Sequence, residues 1–257
     1  MILLALACTT PALEAPPPDF DSAAHEAFRR FFDEDPAPLA IDILAMEAEI
    51  DASLDLTSLD VSARSFTPSP LTEDDLAGLD VPDRDPSAAL SSALARLSTH
   101  PRSDHVPLPL LEDQTPLEPQ CPDHYIRTIV AGGECWPDCT LETSNDLTKA
   151  NLLFEASYVL PKQYRPVPLE DGRTATLART WSTERVVAVD DAAVIEQSES
   201  VEFWLDRPDG SGALRMMAVW SETSFPSMDV DDESVELTLR LGTDEIFGRQ
   251  DEYLDAH

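Results

Sequence analysis

Three of the four cysteines fall in one stretch, "CPDHYIRTIVAGGECWPDC", and their spacing fits three chemistries. Cys121, His124, Cys135 and Cys139 form C-x2-H followed by C-x3-C, a donor set with the softness of a tetrahedral zinc site. Cys135 and Cys139 alone approach the C-x2-C of a thiol–disulfide exchanger, with one residue too many and no βαβ pattern around them. A plain structural disulfide is the third option. Trp136, Trp181, Trp204 and Trp220, with all four tyrosines, lie after residue 121, where they can line a ligand mouth or an interface, or fill the core of a sheet. The acids from Asp229 approach the spacing of a calcium loop. Ser234 stands where glycine is required, however, and Arg240 where the bidentate glutamate belongs, which leaves at most a loose cation site at Asp229, Asp231, Asp232 and Glu233. The chain has no G-x-S-x-G, H-E-x-x-H, P-loop or G-x-G-x-x-G, and its five histidines are scattered. No catalytic residue, resident metal or cofactor is expected.

The elements that must position these residues change period near residue 120. Before it, apolar residues recur at helical spacing: Ala24, Phe28, Phe31 and Phe32 behind a Ser22 cap, then Ile43, Met46, Ile50 and Leu54. "LTEDDLAGL" starts with Thr72 and Asp75 in capping positions, and Leu90, Leu94 and Leu97 repeat at i, i+4 and i+7. Residues 21–100 therefore read as short helices, and the proline-rich stretch 101–120 as an extended connector. From 121 the period becomes 2, in "YIRTIV", "LLFEASYVL", "TATLARTWS", "RVVAV", "VIEQSESVEFWLDR", "ALRMMAVWSE" and "VELTLRL". In the fifth run Gln197 and Glu199 interrupt an apolar parity carried by Ile195, Val201, Phe203 and Leu205. "GTDEIFGRQDEYLDAH" closes the chain as a helix capped at Thr243. The expected fold is α+β: short N-terminal helices, then, over 121–257, a curved antiparallel sheet or partly closed barrel backed by a C-terminal helix. That second part is expected to carry the working surface and to fold alone.

Charge excludes two classes of partner. Fifty acidic residues against seventeen basic ones give a formal charge of −33. Such a field repels phosphate backbones and anionic headgroups, so neither nucleic-acid binding nor electrostatic membrane docking is a primary role.

The remaining cysteine suggests another attachment. "LLALAC" is a short apolar run ending in small residues at Cys8, and the polar, proline-rich stretch 9–20 after it reads as a tether. Residues 1–8 resemble the lipobox of bacterial lipoproteins, although they lack a basic start and carry Ala5 where leucine is usual. "HYIRTIV", "CTLETSNDL" and "GRTATLARTWS" resemble uncharacterised bacterial lipoproteins, a likeness that brings no activity. The first resemblance implies acylation of Cys8, a place in the cell envelope and, with Thr9 following, the outer membrane. In that oxidising setting a disulfide outweighs zinc at Cys121, His124, Cys135 and Cys139. The hairpin turning at Gly132 and Gly133 then points to Cys121 with Cys139, leaving Cys135 odd. The functional expectation is a non-enzymatic, envelope-anchored acidic module, attached to the membrane by lipid only, that binds an envelope protein or an apolar ligand or acts structurally. The alternatives are a hydrolase without local motifs, whose carboxylates converge in the β domain, and a zinc-stabilised interaction protein.

Overall fold

The computed structural model describes residues 19–53, 63–150 and 154–257. Cys8 and most of its tether lie outside them, as does Leu54. The fold is the expected α+β arrangement: among the described residues, a curved, unclosed antiparallel sheet of nine strands with a few helices and a C-terminal helix. The strands are β1 (Ala63–Phe66), β2 (Leu90–Ser98), β3 (Tyr125–Ala131), β4 (Leu141–Ala150), β5 (Glu155–Pro168), β6 (Thr174–Trp181), β7 (Val186–Val187), β8 (Val194–Asp206) and β9 (Ala213–Ser224). They pair in the order β1-β2-β9-β8-β6-β5-β4-β3, with β7 beside β8. β8 and β9 are joined through "RPDGSG", where Gly212 holds φ +128° and a Cβ would strike the Ser98 carbonyl.

Period 2 divides the sheet into two faces, and each carries helices. On the first, Leu177, Phe203, Met216 and Trp220 are fully buried beneath α1 (Phe20–Arg29) and α2 (Ala37–Ser53). Those helices and the turn after α1 contribute Ala24, Phe28, Phe31, Ile43, Met46 and Ile50 to the same core, which is the apolar spacing seen in the sequence. Phe32 instead stays 53% exposed, and the cap of α1 is Asp19, whose carboxylate accepts from the Ser22 amide. Two sheet arginines close the other end of α1. Arg179 donates to the Phe28 carbonyl (3.0 Å) and Arg165 to that of Phe31 (2.7 Å), satisfying carbonyls that a helix end leaves free.

Four segments differ from expectation. Residues 90–98 form β2, paired with β9 along its whole length from Leu90↔Ser221 to Ser98↔Ala213. The leucine spacing fits a helix, but Ala93 and Ala95 also alternate against Leu94 and Arg96. A long open partner strand decides between two such patterns, and Ser91, Ser92 and Ser98 add little helix propensity. The segment from Thr72 makes turns rather than a helix. Its Thr72–Asp75 contact nevertheless forms, since the Thr72 amide and hydroxyl both donate to Asp75 Oδ2 (2.8 and 2.7 Å). The other side of that carboxylate faces His25 Nδ1 (2.9 Å), and His25 Nε2 faces the Ser69 carbonyl (3.1 Å). Burial opposes a charge on this imidazole, yet Asp75 outweighs it and holds the pKa above the ordinary value.

The third difference is the connector. Residues 101–120 contain a helical turn, α3 (Arg102–His105), and a 3-10 turn at Leu108–Leu110, folded down on the second face of the sheet. We call residues 101–118 the strap. Its Gln114 amide donates to the Tyr125 carbonyl (2.9 Å) at the β3 edge, and the Arg127 amide donates back to the Glu112 carbonyl (2.7 Å). Fourth, α4 runs over Asp232–Ala256, so residues 235–241, expected as a strand, are its first turns. Asp231 caps it by accepting from the Ser234 amide (2.7 Å), and Asp232 and Glu233 occupy its first turn. The acids of the supposed cation loop are thus a helix start, where negative charge meets the positive end of the helix dipole. No described helix is long and apolar enough to cross a membrane.

Candidate functional site

The second face of the sheet is less apolar than the first. Reading across its register, Arg127 and Tyr125 on β3 face Asn145 and Leu147 on β4. Lys162 and Tyr164 lie on β5, Ala178 and Thr176 on β6, Glu202 and Trp204 on β8, and Met217 and Arg215 on β9. α4 crosses the β2–β9 end of this face, burying Phe247 against Leu94 and Met217. Arg215, fully buried, fastens it by donating to the Phe247 carbonyl (3.1 Å) and Asp251 (2.7 Å). The strap lies over Tyr164 and Trp204.

Between sheet, α4 and strap remains a cavity of about 50 Å³. Leu108, Leu117, Met217 and Ile246 form its apolar walls; Arg127, Lys162, Glu118, Glu202, Tyr125 and Tyr164 form its polar ones. At roughly 10–15 Å³ per water, this space holds about three to five waters, or a short carboxylic acid of similar size.

Its electrostatics are unusual for this chain. One of only two lysines, Lys162, points here and is ion-paired with the buried Glu202 carboxylate. Burial opposes charge on Lys162, but the facing Glu202 carboxylate prevails and holds its pKa above the ordinary value. Arg127 has no carboxylate partner among the described residues. It donates to Asn145 Oδ1 (2.7 Å) and the Tyr125 hydroxyl (3.3 Å), and its guanidinium carbon lies 5.5 Å from the Tyr164 ring centroid. Burial pushes Glu118 up to about 7, against the pull of Lys149 and Lys162. Trp204 Nε1 and Gln250 Oε1 also line the cavity and make no hydrogen bond within the described chain. With Glu118 protonated the cavity carries one net positive charge, set in hydrogen-bond donors. That arrangement suits a small anion. The lining contains no serine, threonine, cysteine or histidine to serve as a conventional nucleophile.

The residues singled out by sequence divide. Trp204 lines the cavity, stacked on Tyr164 at 6.0 Å between centroids, and Trp136 packs behind it, donating from Nε1 to the Val106 carbonyl (2.8 Å). Trp181 and Trp220 belong to the opposite face: Trp220 is fully buried under α1, and Trp181 stacks beside Arg179. The four tryptophans therefore do not form one mouth. Arg127, Lys162, Glu118 and Glu202 were missed. Their only signal was position: an arginine in "YIRTIV", a rare lysine in a strand, and an acid between apolar residues in "VEFWL".

The disulfide expectation holds in kind and is corrected in partner. Cys135 bonds Cys139, with the two Cα atoms 5.7 Å apart, and Cys121 is free and buried. The expected Cys121–Cys139 pair fails on register. The Ala150 amide donates to the Gln120 carbonyl (2.7 Å), which puts Cys121 at the far end of the β3–β4 hairpin, while Cys139 sits at its tip. With about 3.4 Å per residue along β4, that separation is on the order of 30 Å, beyond any disulfide. Gly132 makes the tip with φ +80°, its α-carbon so close to the Thr140 carbonyl that a side chain would collide. The zinc set of Cys121, His124, Cys135 and Cys139 is overturned by the same bond, and no metal-holding cluster occurs among the described residues.

No protein-family model matches the chain, and no curated protein matches it. Several solved structures are similar in arrangement. A STAR-related lipid transfer protein fragment from Xanthomonas axonopodis is 11% identical with a TM-score of 0.45, covering 76% of this chain and 94% of that one. A protein of Thermus thermophilus is 13% identical with a TM-score of 0.41, covering 64% and 96%. Ara h 8.0201 is 12% identical with a TM-score of 0.38, covering 66% and 99%.

Proposed function

We propose that the protein is a binding module that seats a small carboxylate, or the carboxylate head of a short amphiphile, between α4, the strap and the sheet. The observation that carries this reading is the cationic cavity: buried Arg127 beside half-buried Lys162, with Glu202 as the one carboxylate in ion-pair contact, inside a chain of net charge −33. An anion reaching it exchanges water for charge-assisted hydrogen bonds in a site built in advance. The walls formed by Leu108, Leu117, Met217 and Ile246 accept a short apolar body, which keeps the expected apolar ligand as the tail rather than the head.

Butyrate titrated calorimetrically into the protein should bind, and butylamine, of the same length and opposite charge, should not. Arg127→Lys keeps the charge but loses the planar fork, and Lys162→Met removes one cation; each should weaken butyrate at least tenfold, about 1.4 kcal/mol. The pH dependence has a definite sign. Glu118, protonated below about 7, becomes a second negative charge above it, so affinity should fall as pH rises through about 7. Glu118→Gln should flatten that profile. Equal binding of amine and carboxylate would refute the reading.

We further propose that an acyl chain on Cys8 holds this module at the cell envelope, on the outer membrane. The support is the "LLALAC" run and the proline-rich tether, which is long enough to let a folded domain stand off a bilayer. Labelled palmitate should enter the protein in a bacterial host and be lost in Cys8→Ser together with membrane association. Labelling that survives Cys8→Ser would remove the anchor from the proposal and leave the cavity untouched.

A further inference from the structure

We propose that the Cys135–Cys139 bond is a thiol-exchange site, and that its reduction releases the strap that walls the cavity. The inference concerns control of the carboxylate seat and rests on that reading of the cavity. Three observations carry it.

The bond is accessible. Cys135 is exposed and Cys139 half-buried at the tip of the β3–β4 hairpin. A dithiol can therefore reach Cys135 Sγ without unfolding the sheet. Cys121 is a poor competitor: it is buried, and burial pushes its thiol up to about 12.

The bond also encloses one of the residues that pin the strap, beside the backbone bonds at Glu112 and Gln114 and the Arg102 contacts with Asp206 (2.6 Å) and Thr176 (2.8 Å). Within the ring formed by residues 135–139, Trp136 is the buried side chain. Its indole N–H donates to the Val106 carbonyl (2.8 Å), and its ring meets Tyr164 edge-on at 5.9 Å. Val106 packs into the same cluster as Trp136, Tyr164 and Trp204, and Leu108 and Pro109, just after it, already line the cavity. The path from sulfur to cavity is thus one side chain and one hydrogen bond long.

Finally, the ring is small. Bridging residues so near in sequence removes less freedom from the unfolded chain than a long closure does, so the expected effect of the bond is at the tip rather than across the sheet. What the bond restricts is the tip, where the Trp136 and Asp138 amides donate to the Gly132 and Cys135 carbonyls (3.0 and 2.8 Å).

In the exchange, one thiolate of a dithiol attacks Cys135 Sγ, and Cys139 leaves as a thiolate. The second thiolate of the reagent attacks its own mixed-disulfide sulfur, closes a cyclic disulfide and expels Cys135. Two electrons pass to the chain, the two new cysteine thiolates take up two protons, and the dithiol is oxidised.

Hydrogen exchange followed by mass spectrometry, on the full chain with and without dithiothreitol, tests the proposal. Reduction should accelerate exchange at least tenfold in residues 102–111 and 133–140, leave β8 and β9 unchanged, and weaken butyrate severalfold. The variant Cys135→Ser/Cys139→Ser should match the reduced protein without reagent. Unchanged exchange in the strap would overturn the proposal even if butyrate binds. Loss of protection across the whole sheet would overturn it too, because the bond would then be a general staple. Local acceleration with no butyrate binding in either state would uphold the latch and sink the carboxylate reading instead.

Discussion

A polypeptide of residues 121–257 should show no cooperative unfolding transition by circular dichroism, although it contains every strand from β3 to β9 and all of α4. Without β2, strand β9 loses nine backbone pairings and becomes a raw edge open to other chains. Without α1 and α2, Leu177, Phe203, Met216 and Trp220 pass from full burial to solvent. At about 1.5–3 kcal/mol for each large side chain, these four alone cost about 6–12 kcal/mol, comparable to the whole stability of a typical domain. α4 would also lose Arg96, which donates to Asp244 (2.9 Å), and Ser98, which donates to Asp251 (2.6 Å). Adding residues 19–120 as a separate polypeptide should restore a transition, since the lost surfaces are complementary rather than covalent. A sharp transition in the shorter polypeptide alone would mean that the first hundred residues are an accessory layer, as their composition led us to expect.

What the sequence made legible follows from which physical signals are local. Alternation over 197–206 and 213–222 is long, with polar residues only at Gln197 and Glu199 on the β8 inner parity, so most of β8 and β9, their turn and their shared inner face can be read directly. A bulge between Ile195 and Gln197 moves Ile195 off the expected parity of Val201, Phe203 and Leu205 and into a separate cluster with Ala156 and Val186. The apolar stripe Ile43, Met46 and Ile50 is equally local, and α2 is there. β2 is different, because "LSSALARLS" satisfies both periods and only the presence of β9 selects one. The "VELTLRL" run went the same way in reverse: Asp231 caps a helix upstream of it, and the helix then continues through the alternating residues. Pairing of cysteines depends on hairpin register, which a bulge between Ile129 and Ala131 alters and no spacing records. The cavity was least legible of all. Its cations and acids come from the strap, β3, β5 and β8, segments remote in sequence that only the strand order brings together.

The interruption at Glu199 has a large consequence for pH. This side chain lies on the first face with Val201 and Phe203, directly opposite Trp181 on β6 and Trp220 on β9, and is 2% exposed. Burial pushes its carboxyl up to about 8, with Ser182 and the Ser198 amide offering only partial compensation. A folded-state pKa above the unfolded one favours the protonated carboxyl in the native protein. Stability should therefore be full below the ordinary glutamate value of 4.5 and fall as pH rises towards about 8, where the native state must hold a buried charge. Each pH unit in that window costs about 1.4 kcal/mol, so the loss approaches about 5 kcal/mol, enough to bring a domain of ordinary stability close to its unfolding point. Glu118, with its own raised value, contributes in part of the same window, so the decisive quantity is the difference between wild type and Glu199→Gln. The amide fills the same space and never ionises. Urea unfolding should find the two proteins similar at pH 4, and Glu199→Gln more stable by several kcal/mol at pH 8–9. Parallel stability curves across that range would mean that Glu199 is solvated in the native protein, and that the apolar parity of β8 is broken there by water rather than by a neutral acid.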